Sequence, residues 1–368
     1  MSRLSAAVAS LRAVARRAYH EARMHAERVR ELGGDPRVMI FPSGQPWDPA
    51  SNLRAWLIVP ELRKLGWRVV IVPAPLGLSQ RRRAIALEKP DVILMQQTRH
   101  PLNRPALYAP VPCVLDADDA DILDPRIHAE VARAGADASA VVGGSSFVAG
   151  RFAQHNPVTH VVWTCTPPME TSKTAPKDRP PILAWAHASP LGYHREAELV
   201  HEVVTKLGAR MRFTFWLFGT TEPQAAEYFS APKKLGVECI AIPPMSYEHY
   251  LAKVADAAVG IQPVCIENEF SQGKSFGKVL AYLAGHVAVV ASNAVDHPLF
   301  FKHGETGMLV DTVDEWVDAI ELLLRDPEKR QRMADGAYDA FNNELTTPVF
   351  ARKIDPILRA AIASRRKN

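Results

Sequence analysis

The sequence predicts an α/β protein of two doubly wound, Rossmann-like units facing a central cleft. Short apolar runs alternate with helix-length segments, the runs are apolar throughout rather than every second residue, and a proline-rich stretch splits the alternation in two. Continuous apolar strands separated by helices build parallel sheets covered on both faces. At 368 residues the chain also exceeds what one hydrophobic core usually organises.

Composition narrows the class. With 47% hydrophobic and 23% charged residues the chain reads as an ordinary globular protein. Its 44 basic against 40 acidic residues, a net charge of +4, are too balanced to argue for nucleic acid. Cys113, Cys165, Cys239 and Cys265 are widely spaced and form no C-x-x-C pair, so neither a metal site nor a disulfide framework is expected. A reducing cytoplasm fits best, and no apolar run is long enough for a membrane span.

Residues 3 to 32 are helix-compatible, with Leu4, Val8, Leu11, Ala15 and Ala22 near one face and Arg3, Arg12, Arg16, Arg17 and Arg23 among the polar positions. Such a basic amphipathic helix either packs on its own domain or lies on the anionic inner face of a membrane. Strands are expected at Val38 to Phe41, Val69 to Val72, Val92 to Met95, Val111 to Leu115, Ala140 to Val142 and Val161 to Trp163, with a helix from Asn52 to Leu65. Five prolines between Cys165 and Pro181 mark a linker. Strands then follow at Ile182 to Trp185, Phe213 to Phe218, Val237 to Ile242, Ala257 to Pro263 and Val287 to Ala291. Helices are expected near Glu196 to Leu207, Tyr247 to Ala255, Ser275 to Leu283 and Val313 to Leu324. The divisions are an N-terminal helix over 1–34, Rossmann-like domains over 35–168 and 169–345, and a C-terminal helix with a basic tail over 346–368. In doubly wound units, ligands bind beyond the carboxyl ends of the strands.

The stretch Gln272-Gly273-Lys274-Ser275-Phe276-Gly277-Lys278 follows an apolar strand and opens an apolar helical run. Two lysines four apart at a helix start repel each other and oppose the macrodipole. The placement is poor for folding and good for an anion, so these residues are read as a phosphate or diphosphate site. Gly273-Lys274-Ser275 matches the end of a P-loop, but Asn268 stands where that motif needs its first glycine. In the first half, Asp116, Asp118 and Asp119 crowd like charges just after a strand. Asn52 and Arg54 follow the Pro46-Trp47-Asp48 loop, where they could hold a sugar or lipid phosphate, and Trp47 either stacks on a sugar ring or fills the core. His187 follows the first strand of the second half; it and His100 are candidates for the site or ordinary structural histidines. Ser145 and Ser146 read as a loop and helix N-cap.

Several segments together carry a family resemblance. They are Ile261-Gln-Pro-Val, then Glu267, Glu269 and Phe270, the two lysines, Tyr282-Leu-Ala-Gly285, Val287 to Ser292, Gly304-Glu-Thr-Gly-Met-Leu-Val310 and Leu324-Arg-Asp-Pro-Glu-Lys-Arg-Gln-Arg-Met333. This pattern resembles the C-terminal domain of the GT-B glycosyltransferases of family 4, the group 1 transferases of bacterial polysaccharide assembly, in their Lys-Ser-x-x-Lys variant. Upstream, Leu115 to Ala120, Val142 to Phe147 and Trp185 to Pro190 continue it more weakly.

The resemblance implies a retaining hexosyl transfer, without metal or other cofactor, from a nucleotide diphosphate sugar to a saccharide or lipid-linked acceptor. Donor contacts would come from His187, Ser189, Glu267, Glu269, Phe270, Gly273, Lys274, Ser275, Phe276, Lys278 and Tyr282. Trp47, Asn52, Arg54 and His100 would serve the acceptor. Lys274 and Lys278 would stabilise the departing diphosphate, and Asp118 would orient or deprotonate the acceptor hydroxyl unless it merely caps the segment toward Ile122. The family's paired glutamates, eight apart, are replaced by Gly273 and Ala281, which leaves ribose recognition to another residue, with Glu267 and Glu269 as candidates. A sugar-nucleotide epimerase and a non-catalytic binding protein of the same architecture are the alternatives.

Overall fold

A computed structural model describes residues 3–30, 35–169, 174–267, 269–274 and 276–365. The chain divides into two compact units, residues 1–162 with 350–368, and residues 163–349. The last helix, Thr347–Arg365, therefore returns to the first unit for most of its length.

Among the described residues the first unit holds six parallel strands: β1 (Arg37–Phe41), β2 (Arg68–Ile71), β3 (Val92–Gln96), β4 (Cys113–Ala117), β5 (Ala140–Gly143) and β6 (Thr159–Val161). Their order is β2-β1-β3-β4-β5-β6. The central strands β3, β4 and β5 are buried along their whole length, as helices on both faces require, whereas the edge strands β2 and β6 are partly exposed. Ser145 caps the helix Ser146–Ala153 by accepting from Val148 N–H at 3.3 Å, as the sequence suggested.

The second unit repeats the plan with β7 (Ile182–Trp185), β8 (Thr214–Phe218), β9 (Glu238–Ile242), β10 (Val259–Gln262), β11 (Ala288–Ser292) and β12 (Met308–Val310), all parallel. The order β12-β11-β10-β7-β8-β9 makes β7 and β10 neighbours across the point where the winding reverses. Its core gathers Leu183, Trp185, Phe215, Leu217, Val259 and Ile261 from the sheet with Val200, Val204, Trp316 and Ile320 from the covering helices.

The structure corrects two expectations. The helix expected over 52–65 is broken into Pro49–Ser51, a π-turn at Asn52–Trp56 and Val59–Lys64. The proline-rich stretch is no loose linker where it is described: buried Arg179 donates to the carbonyls of Ala257, Gly285 and His286, and Arg330 to those of Pro176 and Lys177. Both arginines satisfy carbonyls left at element ends and fasten the segment to the second unit.

Among the described side chains of the N-terminal helix Arg3–Arg30, those of its later part dock. Met24 is buried and Glu21 pairs with Arg83 at 2.5 Å, while Leu11, Val14 and Tyr19 stay 69%, 59% and 63% exposed. No described helix is long and apolar enough to cross a membrane.

Candidate functional site

In the second unit a shallow hollow opens at the carboxyl ends of β7 and β10, lined among others by His187, Tyr193, Glu196, Gln262, Lys274 and Lys278. This is the reversal point at which doubly wound sheets bind ligands. Local sequence builds it. Gly219, at φ +80°, ends β8 so close to the loop after β7 that an added Cβ would lie 2.1 Å from the His187 carbonyl oxygen. Gly260 inside β10 leaves room for the Tyr282 ring, which an added Cβ would meet at 2.3 Å.

Both expected lysines line this hollow. Lys274 Nζ lies 4.6 Å from the Phe270 ring centre and 3.5 Å from the Tyr193 hydroxyl. The His187 ring is 4.4 Å from that of Tyr193, and its Nδ1 accepts from Ser189 N–H at 3.0 Å. Burial first, and then the charges of Lys278 and Lys274, push the His187 pKa down to about 3. The imidazole is therefore neutral at physiological pH, and its depression registers two ammonium groups converging on one space.

The local backbone differs from expectation. Residues Phe276–Lys278 form a 3₁₀ turn and Leu280–Ala284 a five-residue helix, in place of one helix from Ser275 to Leu283. Little macrodipole is available there, so the anion-attracting charge resides on the lysine side chains. Ser275 lies outside the described residues.

Other donor candidates are dispersed. Glu267 and Glu269 are exposed and are not among the lining residues, so they are not placed as ribose ligands. Gly273 is buried, and Phe276 packs among Trp163, His297 and Phe300. Tyr282 is fully buried: its hydroxyl accepts from Ala186 N–H at 2.6 Å and lies within bonding distance of the Ala184 and Ile261 carbonyls. It braces β7 against β10 and does not reach a donor. Ala281, 1% exposed, is buried and lies off the hollow's lining.

Tyr193, Glu196 and Gln262 were not singled out in the sequence. Glu196 carried a legible signal: at spacings of four, seven and eleven it falls in register with Val200, Val203 and Leu207, the buried stripe of the helix His194–Gly208. An acidic residue on an apolar stripe needs a partner, and Glu196 Oε1 accepts from Cys265 N–H at 3.1 Å.

In the first unit, a polar cluster stands where β1, β3 and β4 end. Ser43 N–H and Ser51 Oγ donate to Gln96 Oε1 at 2.8 and 3.0 Å, and the Gln97 amide donates to Asp118 Oδ1. The three aspartates have separate fates. Asp116 takes the Arg54 guanidinium and Asp119 takes Arg99 at 2.7 Å, whereas Asp118 is 7% exposed and receives a neutral amide. Burial, then the Asp119 charge, raise the Asp118 pKa to about 7 despite an opposing contribution from Arg54. Asp118 does not cap the following turn, Asp121–Leu123, whose cap position is Ala120.

The acceptor candidates are not brought together. Arg54, expected to hold a phosphate, is fully buried: its Nε donates to Asp116 Oδ2 at 2.9 Å and its Nη1 to the Val162 carbonyl at 3.0 Å. Asn52 is half-buried in the π-turn. His100 sits against Arg81; burial, and then the Arg81 charge, lower its pKa to about 4. Trp47 is 74% exposed beside a larger hollow under the N-terminal helix, so it is no core residue. Among the described residues no group of three or more His, Cys, Asp or Glu is arranged to hold a metal.

The raised Asp118 pKa gives a stability prediction. The folded state holds this proton more tightly than the unfolded chain does, so the stability it contributes below the ordinary carboxyl pKa is lost as pH rises through about 7. Asp118→Asn is expected to raise the melting temperature by several degrees at pH 8, an effect on the order of a few kcal/mol, and by much less at pH 5. Equal changes at the two pH values would contradict a buried, reluctantly ionised carboxyl.

Known proteins share the fold. Residues 195–354 match the family described as glycosyl transferase-like, a span holding Glu196, Gln262 and both lysines. Among solved structures, the chain is similar to HepE of Anabaena solved with UDP-glucose, at 15% identity and TM-score 0.65 over 88% of this chain and 99% of that one. It is also similar to the sucrose-phosphate synthase of Thermosynechococcus elongatus, at 14% identity and TM-score 0.66 over 89% and 99%. A glycosyltransferase of Rickettsia africae gives 11% identity and TM-score 0.67 over 89% and 98%. No curated protein matches the chain in sequence. The architecture of two parallel six-stranded, Rossmann-like domains is that of the GT-B fold.

Proposed function

We propose that the chain is a glycosyltransferase that moves a hexose from a nucleoside diphosphate sugar to a hydroxyl of a saccharide or lipid-linked acceptor, with retention of configuration. The observation that carries this reading is the convergence of Lys274 and Lys278 on a hollow at the reversal point of the second sheet. The family match over the same residues and the UDP-glucose bound by the similar HepE support it.

The chemistry follows from charge. As the bond between the sugar and the diphosphate breaks, negative charge grows on the departing oxygen. Two ammonium groups already held in a partly buried hollow stabilise that charge without reorganising, and neutral His187 adds no third cation. In the first unit, Asp118, with its pKa near 7, is suited to take a hydrogen bond and then the proton from the acceptor hydroxyl. The chain is incubated with UDP- and GDP-sugars labelled in the sugar, with and without a lipid-linked saccharide extract. Label moving to the extract, dependent on acceptor, is the expected result; release or epimerisation at the same rate without acceptor would favour a different reaction.

For the N-terminal helix we propose peripheral contact with an anionic membrane surface, which would bring a lipid-linked acceptor to the enzyme. Exposed Leu11, Val14 and Tyr19 lie among Arg12, Arg16 and Arg17, which are also exposed. Deleting residues 1–20 is expected to abolish co-sedimentation with vesicles containing phosphatidylglycerol. Unchanged co-sedimentation would remove the role.

A further inference from the structure

We infer that Gln262 and Glu196 form the hydroxyl-recognising half of the pocket in the second unit, accepting hydrogen bonds from vicinal hydroxyls of the bound ligand. This rests on reading that pocket as a nucleoside diphosphate sugar site, and it names what recognises the part of the ligand that the lysines do not.

Gln262 is the last residue of β10, 7% exposed, and lines the hollow. Its Nε2 donates to the Pro263 carbonyl at 3.4 Å, which sets the direction of the amide. Its Oε1 is buried with no hydrogen-bond partner among the described residues. Leaving a buried acceptor unmatched costs about 1–3 kcal/mol and calls for an explanation, and the residue that carries this one lines a hollow from which an entering donor would complete it. Glu196, 8% exposed, lines the same hollow from the first turn of the helix His194–Gly208, held there by the Cys265 N–H.

An amide oxygen and an ionised carboxylate accept only, and an ammonium group donates only. The hollow thus presents two kinds of demand, cations for an anionic oxygen and acceptors for O–H groups. A bare diphosphate meets the first and has no protons for the second. A diphosphate esterified to a polyol meets both. The hydroxyls are those of the ribose or of the transferred sugar, and the two sources are separable.

Dissociation constants are measured calorimetrically for UDP, 2′,3′-dideoxy-UDP, UDP-glucose and inorganic pyrophosphate, or the guanosine and mannose counterparts if those bind. The proteins are the full chain and its Gln262→Leu and Glu196→Gln variants. If the ribose is read, removing its hydroxyls costs the unaltered protein about tenfold in affinity, and each variant brings that ratio close to one. If the transferred sugar is read, the advantage of UDP-glucose over UDP collapses in the variants instead. In either case pyrophosphate affinity stays within about twofold, since both lysines remain and the variant is folded. Both ratios unchanged in both variants, or pyrophosphate affinity lost in parallel, overturns the inference while leaving the diphosphate reading in place. An unaltered protein that binds none of these nucleotides overturns both.

Discussion

Replacing Arg54 by alanine is expected to lower the unfolding free energy by about 3–5 kcal/mol, the usual consequence of leaving one member of a buried ion pair without the other. Arg54 and Asp116 are both fully buried, their pairing is two-pronged, and the guanidinium also donates to the Val162 carbonyl. Its Cζ lies 5.1 Å from the centre of the Phe350 ring, so the same side chain ties the returning C-terminal helix to the first sheet. Urea unfolding measures the loss. Asp116→Ala should cost a similar amount, and the Arg54→Met, Asp116→Leu pair should recover much of it, because an apolar pair of similar volume needs no desolvation of charge. A near-neutral Arg54→Ala would mean that the guanidinium is not buried as described and would reopen its reading as a phosphate ligand.

The second large effect concerns the lysines. Lys278→Ala and Lys274→Ala are each expected to weaken nucleoside diphosphate binding by about 10–100-fold, the cost of a lost charge-assisted hydrogen bond, with little change in melting temperature. A readout without ligand accompanies this. The His187 pKa is depressed by burial and then by Lys278 and Lys274, so removing Lys278 must move it upward from about 3. Following the His187 ring by NMR across an acid titration tests whether the ammonium groups converge on it. An unmoved titration in Lys278→Ala would dissociate the histidine from the cationic hollow.

Apolar patterning made the sheets legible. Ile182–Trp185 is a strand as expected, and β10 and β11 fall within two residues of their expected ends, because continuous runs of Val, Ile, Ala and Trp bounded by polar turns leave few alternatives. The three-residue edge strand Met308–Val310 was too short to announce itself as one. Pro60 stands inside the single helix expected over 52–65, and the chain breaks there, a π-turn preceding the helix Val59–Lys64.

At the candidate site, charge placed near glycine was legible and tertiary pairing was not. Lys274 and Lys278 stood out because two like charges four apart at an expected helix start repel each other and oppose its macrodipole. Arg54 finds Asp116 62 residues away, and Tyr282 finds the Ala186 N–H 96 residues away, so their isolated contexts suggested ligands where the fold supplies protein partners. Gln262 entered only as part of the Ile261-Gln-Pro-Val segment and with no role, since a glutamine at the end of a strand shows its unmatched carbonyl only when the surrounding elements have closed over it.

The central claim is that the hollow in the second unit binds a nucleoside diphosphate through Lys274 and Lys278. Calorimetric titration of the full chain with UDP and GDP, repeated on the Lys274→Ala, Lys278→Ala double variant at matched folded fraction, tests it most directly. The account predicts saturable binding of at least one nucleotide by the unaltered chain and its loss in the double variant. Equal binding by both proteins, or none by the folded unaltered chain, would contradict it.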